Sequence, residues 1–286
     1  MPNTIDADLL QDSVSTIVIN ALSNRFAPFA AYTRDYNDGG IAPVTVTKNV
    51  QVPVISSTTS TAKNPTTFIG GDTVTSNCAV TVDAYSKPIH LTSDQLNSRI
   101  KLEMFAQAAA NQFADDIMAV VTGKILDASI STTNEVVAQA SFTAANAKSI
   151  WGKLGKTSQK HLILDSVAYA QLAPSDKNSF DLGARGAFGF DGIHHQTIWT
   201  GATANTYGIG CGPEFMAIYT DIPLMSDGVR SRLTRQSNLV LPFGMTVQLN
   251  EWVDVNTRTD YMSLDVMFGA AVADGAAAVL VLSAET

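Results

Sequence analysis

The stretch from Thr92 to Leu126 constrains the fold more than any other part of this sequence. Ile100, Met104, Phe105, Ala108, Ala109, Phe113, Ile117, Val120, Val121 and Ile125 recur mostly at three- and four-residue steps, the period of an α-helix. No proline interrupts the run, and its Ala, Leu, Gln, Glu and Met favour the helical state. Thr92, Ser93 and Asp94 can each cap the first turn, because a side-chain oxygen accepts a free backbone N–H there. From Arg99 to Leu126 alone such a helix would run about 40 Å, well beyond the roughly three turns of an average globular helix. Its apolar stripe keeps no strict heptad and Gly123 loosens its end, which disfavours a coiled coil. The stretch therefore reads as a spine on which a sheet packs.

The chain before the spine has two parts. Leu9, Leu10, Val14, Ile17, Val18, Ala21, Leu22 and Phe26 form one helical face, with Asp6 and Asp8 near the positive end of the helix dipole. An aromatic segment, FAPFAAYTRDY, and a turn at Asp38-Gly39-Gly40 follow. This is an arm that lies either on the chain's own core or on a neighbour's. From Val44 to Ile55 the pattern becomes VTVTKNVQVPVI, with Val44, Val46, Val50, Val52 and Val54 on one face and Thr45, Thr47, Asn49 and Gln51 on the other. A Ser/Thr/Gly tract separates it from a second alternating run, CAVTVDAYSKPIHL. Two long strands with so polar a tip predict a projecting hairpin that needs a partner surface.

After the spine, Thr143 caps a helix carrying Ala147, Ile150, Trp151 and Leu154, HLILD is a short buried strand, and SVAYAQLA a short helix from near Ser166. The glycine-rich run SDKNSFDLGARGAFGFDG reads as a mobile loop. IHHQTIW and EFMAIYTDIP read as strands, completing a compact α/β unit. From Val229 the chain returns to strands, VRSRLTRQSNLVL, FGMTVQLNEWVDVN, TDYMSLDVMFGAAVAD and AAAVLVLS, with a bulge expected near Glu251. These strands are expected to pack on the spine, so the α/β unit is inserted into a discontinuous one.

Composition narrows the function. Apolar residues make up 45% of the 286-residue chain and charged residues only 15%, against roughly 25% charged in an average domain. So little surface charge points to extensive contact with other protein. A net charge of −8 argues against a dedicated phosphate-backbone binder. Cys78 and Cys211 are too far apart for a zinc knuckle or CxxC pair and read as buried, reduced thiols. No signal peptide precedes Asp6, Asp8 and Asp12, and no apolar run approaches a membrane span, which predicts a soluble cytosolic product. There is no GxGxxG, phosphate-loop lysine motif, GxSxG or HExxH. Neighbouring strand residues face apart, so His194 and His195 cannot chelate one ion together, and Asp115 and Asp116 diverge on their helix in the same way. His90 and His161 read as histidines held by local hydrogen bonds. Arg230, Arg232 and Arg235, with Arg258 further on, form a small basic group in which Arg230 and Arg232 share a strand face, suited to phosphate, to a neighbour's carboxylates or simply to water.

Taken in order, an amphipathic arm, a long hairpin, a spine helix, an inserted α/β unit and a returning sheet resemble the major capsid (coat) protein of tailed bacteriophages, the Hong Kong phage coat fold. SKPIHLTSDQLN leading into the spine, HLILDSVAYAQLA, GFDGIHHQTIW and DVMFGAAVADGAAAVLVL are each similar to a segment of that family. The resemblance implies an α+β fold with residues 1–42 as N-terminal arm, 43–86 as extended loop, 87–132 and 236–286 as peripheral domain, and 133–235 as axial domain. It implies a non-enzymatic capsid subunit without cofactor or metal, assembling in the host cytoplasm as hexamers and pentamers into an icosahedral virion shell. That shell would enclose packaged double-stranded DNA without reading its sequence. A separate scaffolding protein, a portal and decoration proteins are the further partners implied, and no membrane. Leu10, Val14, Ile17, Leu22, Lys48, Lys63, Phe68, Arg230 and Arg232 are the expected intersubunit contacts. Some relatives join subunits through a lysine–asparagine link. Lys48 and Lys63 in the hairpin and Asn250 and Asn256 in the last sheet have the matching residue types, without a crosslink being assigned. Two other readings stand beside this one: an encapsulin-like shell housing cargo enzyme, and an α/β enzyme whose glycine-rich loop 183–192 closes over a site.

Overall fold

A computed structural model describes residues 7–37, 39–53, 75–92, 99–127, 130, 134–155, 157, 159–172, 189–197, 199, 205–254, 256 and 259–283. The expected hairpin tip, residues 175–188 of the glycine-rich run and the Ser93 and Asp94 caps lie outside these residues. In chain order the elements are α1 (Ala7–Arg25), β1 (Thr33–Tyr36), β2 (Val46–Pro53), β3 (Thr75–Thr92), α2 (Arg99–Asp127), β4 (Glu135–Val136), α3 (Ala144–Lys153), β5 (His161–Leu164), α4 (Ser166–Gln171) and β6 (Gly192–His195). There follow β7 (Thr206–Cys211), β8 (Met216–Asp221), α5 (Asp227–Arg230), β9 (Arg235–Val240), β10 (Thr246–Asp254), β11 (Thr259–Val272) and β12 (Ala278–Leu282).

The spine forms as its period predicts. α2 is 29 residues long and buries Ala106, Ala110, Phe113, Ala114, Ile117, Met118, Val121 and Ile125. Its stripe is narrower than expected: Met104 and Phe105 are 66% and 43% exposed. Phe105 is rotated about 100° from Ala106, which points it away from the core. Thr92 is not a cap either, because β3 runs through it and pairs it with Thr259.

Seven strands make the main sheet, with the pairing path β1–β8–β11–β10–β9 and β3 joined to both β11 and β2. Strand alternation sorts its side chains onto two faces. Val247, Leu249, Leu264, Val266, Phe268, Met216 and Ile218 enter one core with α1 and α2. On the opposite face, Ala217, Tyr219 and Met267 pack with Val50, Val52, Val80 and Val82 of the hairpin. A second sheet, ordered β4–β12–β7–β5–β6, closes its own core of Phe142, Ile150, Leu162, Leu164, Tyr207 and Val281. Thr143 and Asn146 form a capping box at the start of α3, and Asp165 caps α4 by accepting from the Ala168 N–H.

Several strand assignments change. β8 belongs to the main sheet, where it pairs with β1 and β11. β12 leaves the spine for the second sheet, pairing with β7 and β4, because a 3-10 turn at Gly275–Ala277 redirects the chain. The segment from Val229 begins as the end of helix α5, and strand starts only at Arg235. No bulge occurs at Glu251, which pairs in register with both Met262 and Arg235. The irregularity falls instead between Val281 and Leu282. Strand β6, Gly192–His195, covers only the first three residues of the expected IHHQTIW.

Candidate assembly surfaces

The hairpin base is covered by its own chain. Val46, Lys48, Val50 and Val52 share one face of β2, as two-residue alternation requires, and Val50, Val52, Val80 and Val82 are at most 1% exposed. The partner surface that the valine pattern demands is thus the outer face of β8 and β11. Gly269 of β11 permits the approach: a Cβ there would stand 2.3 Å from the Thr81 carbonyl oxygen and 2.7 Å from Val80 Cγ1. Lys48 is half-buried, with Nζ 5.9 Å from the centre of the Tyr219 ring, so it faces its own subunit. The Cys78 thiol lies 3.8 Å from the Val272 carbonyl oxygen, and burial raises its pKa. Lys63 and Phe68 lie outside the described residues.

The arm also packs internally. Val14 and Leu22 are 1% and 0% exposed in the core shared with α2, which removes them as subunit contacts. Ile17 is half-buried at the edge of a groove of about 350 Å3 with Asn20, Glu103 and Met104. Leu10 lies in α1, its side chain outside the described set. Arg25 ends the helix as a three-way tie: its guanidinium is 3.3 Å from the Asp115 carboxylate and donates to Thr197 Oγ1 at 2.8 Å. Asp116 points instead to Lys87, at 3.8 Å, so the two aspartates diverge as their spacing predicts. Phe26 and Phe29 then stack at 4.8 Å, and Phe29 on Phe268 at 5.8 Å. Asp221 fixes the turn that follows by accepting from the Gly40 and Ile222 N–H groups, Asn37 Nδ2 and the Tyr219 hydroxyl.

The face of β10 opposite the core is polar. Asn250 Nδ2 and Ser263 Oγ donate to Asp265 at 2.6 and 2.5 Å, and Gln236 Nε2 donates to Asn250 Oδ1 at 3.1 Å. Asn250 and Asp265 are 1% and 8% exposed, so these donors replace the water the carboxylate gives up. Asn250 is committed to this network, whereas Asn256 is exposed. Trp252 stacks on Tyr261, ring centres 5.5 Å apart. Arg230 and Arg232 do not share a strand face: the first closes α5, the second lies in the turn after it, and both are exposed. Arg235 lies opposite Glu251.

Titratable groups concentrate in the second sheet. His161 and His194 meet across the parallel β5–β6 pair, one ring nitrogen donating to the other at 3.2 Å. His195 faces away toward the Ser166 hydroxyl, at 2.8 Å. Burial lowers the pKa of both His161 and His195, with Asp191 opposing it at the first, and Arg25 lowering and Asp165 opposing it at the second. Burial pushes Glu135 up, but hydrogen bonds from Lys153, Asn146 and Ser149 and the Lys153 charge outweigh it, leaving its pKa below the usual range. Lys160 is lowered by burial; its Nζ stands 3.8 Å over the Trp151 ring. Cys211 is wholly buried and its pKa raised by burial and by Glu214. Both cysteines are free and buried, as their separation predicts. Among the described residues no three or more His, Cys, Asp or Glu side chains group as a metal site, and no helix is long and apolar enough to cross a membrane.

The cross-strand histidine pair and the Trp252 surface were beyond sequence reasoning. Only a glycine within the apolar run VMFGAAV signals the hairpin crossing.

No family model and no curated protein matches the sequence. Among solved structures, the chain is similar to a virus-like particle from Pyrococcus furiosus at 13% identity and a TM-score of 0.57, covering 94% of this chain and 98% of that one. The capsid of a native GTA particle aligns at 12% identity and a TM-score of 0.48, over 92% and 90% of the two chains. The capsid of cyanophage P-SCSP1u aligns at 12% and 0.47, over 90% and 87%. The first of these aligns over nearly the whole of both chains. The chain has the α+β phage coat fold.

Proposed function

We propose that the chain is the subunit of a closed protein shell. One observation carries this reading: a fold shared over 98% of the length of a virus-like-particle subunit, with no large part of either chain left over. The sparse surface charge, 15% of residues, supports it, since a shell subunit turns much of its surface to other copies. In the finer reading the copies form hexamers and pentamers of an icosahedral capsid around double-stranded DNA. Residues 1–42 and 43–86 then act as arm and extended loop, the second sheet of β4, β12, β7, β5 and β6 as axial domain, and a scaffolding protein and portal guide assembly. A net charge of −8 suits a container, because an anionic wall does not hold anionic DNA tightly.

A second reading, a shell around protein cargo, fits the same fold, since the structure that shares it over nearly its whole length is a virus-like particle. Electron microscopy of purified particles, with nuclease treatment before and after opening them, separates the two. Closed particles holding nuclease-protected duplex DNA support the capsid. Closed particles holding a second protein and no DNA support the cargo shell. A chain that forms no particle under any assembly condition contradicts both.

A further inference from the structure

Strand β6 is the edge of the second sheet, and among the described residues it pairs only with β5. In that parallel register His161 stands opposite Gly192, and His194 lies two residues further along on the same face. The diagonal brings His161 Nδ1 to 3.2 Å from His194 Nε2, with ring centres 5.4 Å apart. Glycine makes the meeting possible: a Cβ at Gly192 would stand 2.7 Å from His194 Nε2 and 3.0 Å from His161 Nδ1, forcing the rings apart. His161 is 7% exposed, and its Nε2 has no hydrogen-bond partner among the described residues, so the far side of the ring is not committed elsewhere. His194 is half-buried and Asp191 exposed, which leaves the pair reachable from solvent on one side. The Asp191 carboxylate and the Arg34 guanidinium act on His161 with opposite sign, so the local charge does not repel a cation.

We propose that His161 and His194 together bind a divalent transition-metal ion such as zinc, which clips β6 to β5. Two imidazole nitrogens held about 2.0–2.1 Å from a tetrahedral ion stand about 3.3 Å apart. The hydrogen-bonded pair already has that spacing, so the ion enters with a small rotation of the rings and no movement of the strands. The shared proton passes to the other nitrogen of the ring that donated it, leaving both imidazoles neutral and a lone pair on each facing nitrogen. Imidazole suits zinc, copper and nickel, whereas magnesium and calcium take oxygen ligands. Among the described residues no third His, Cys, Asp or Glu completes the shell, so water fills the remaining positions and the ion is held less tightly than in a closed four-ligand site. Strands β5 and β6 lie against the 3-10 turn Ala27–Ala31 that follows α1, and β6 adds only four residues to the ladder. A clip there stabilises the short edge of the second sheet where it meets the rest of the chain. The site lies within one subunit and does not depend on the shell reading.

The test titrates zinc chloride into the tag-free, chelator-treated full-length chain, read by calorimetry and by the shift in Tm. One ion per chain and a raised Tm are expected, with no response to magnesium or calcium. Affinity should fall about tenfold or more in His161→Gln and in His194→Gln, and stay unchanged in His90→Gln and His195→Gln. Because His161 is buried, loss in its variant could follow from misfolding, so the native chain supplies the deciding arm. It holds only four histidines, and proton–nitrogen correlation spectra should show zinc moving one Nδ1 and one Nε2 signal together, on two different rings. The His195→Gln spectrum should show the same pair moving. No stoichiometric binding, zinc shifts confined to one ring or to His90 or His195, or full affinity in either His161→Gln or His194→Gln would overturn the proposal. Binding that magnesium or calcium reproduces would overturn it as well.

Discussion

Replacing Gly269 with alanine tests how the hairpin is held. The added methyl would meet the Thr81 carbonyl oxygen at 2.3 Å and Val80 Cγ1 at 2.7 Å. The first is backbone, so no rotamer change relieves it. Forcing an extra methyl into a packed site costs about 1–3 kcal/mol. Detaching the hairpin would relieve the clash but would expose Val50, Val52, Val80 and Val82, all at most 1% exposed. At about 1.5–3 kcal/mol for each buried side chain, detachment loses 6 kcal/mol or more. Strain is the smaller penalty, so the hairpin stays docked and the subunit loses about 2 kcal/mol. Urea denaturation of the unassembled chain should show this as a lowered midpoint at unchanged slope, and Tm should fall by about 2–4 °C per kcal/mol. Hydrogen exchange should quicken in β2 and β3 before it does in α2. An alanine variant within about 0.5 kcal/mol of the native chain, with exchange unaltered, would refute the crossing at Gly269.

Gly123 gives the opposite sign, because a Cβ there has no neighbour within 4 Å; Gly123→Ala should stabilise α2 by about 0.5–1 kcal/mol in the same denaturation. Phe113 is 2% exposed where the spine meets the core, and Phe113→Ala should cost about 3–5 kcal/mol, read as loss of helical signal at lower urea. Because the folded pKa values of His161 and His195 are depressed, the unfolded chain takes protons first. Their contribution is complete above about pH 6.5 and is lost as pH falls through the folded values; a His161→Gln/His195→Gln variant should flatten the stability difference between pH 7 and pH 5. Glu135 adds a later step, since its lowered folded pKa keeps its contribution above about pH 4.3 until pH falls through the folded value; Glu135→Gln should remove that step.

Local periodicity carried much of the fold into view. The spacing of Phe113, Ile117, Val121 and Ile125 specifies the spine, and the alternation from Val46 to Val52 specifies β2 and its apolar face. Capping chemistry at Thr143 was equally plain. Alternation says which side chains share a face but not which surface meets that face. The valines of β2 could have served a neighbour, yet they lie on β8 and β11 of the same chain. The same limit hid the interleaving of the sheets, because β8 and β12 are apolar strands that fit either one. Arg230 and Arg232 stood out as charge, while an apolar pocket beside them, walled by Val229, Leu233 and Trp252, needed residues from α5, β10 and β11 brought together across long sequence separations.

The shell reading stands or falls most directly on the mass of the purified full-length chain in solution, measured by sedimentation velocity under conditions that promote assembly. Megadalton particles that appear hollow and closed in the electron microscope are predicted. A chain that stays at its 30.3 kDa monomer mass, or stops at a small oligomer across salt, crowding and pH, would contradict the account.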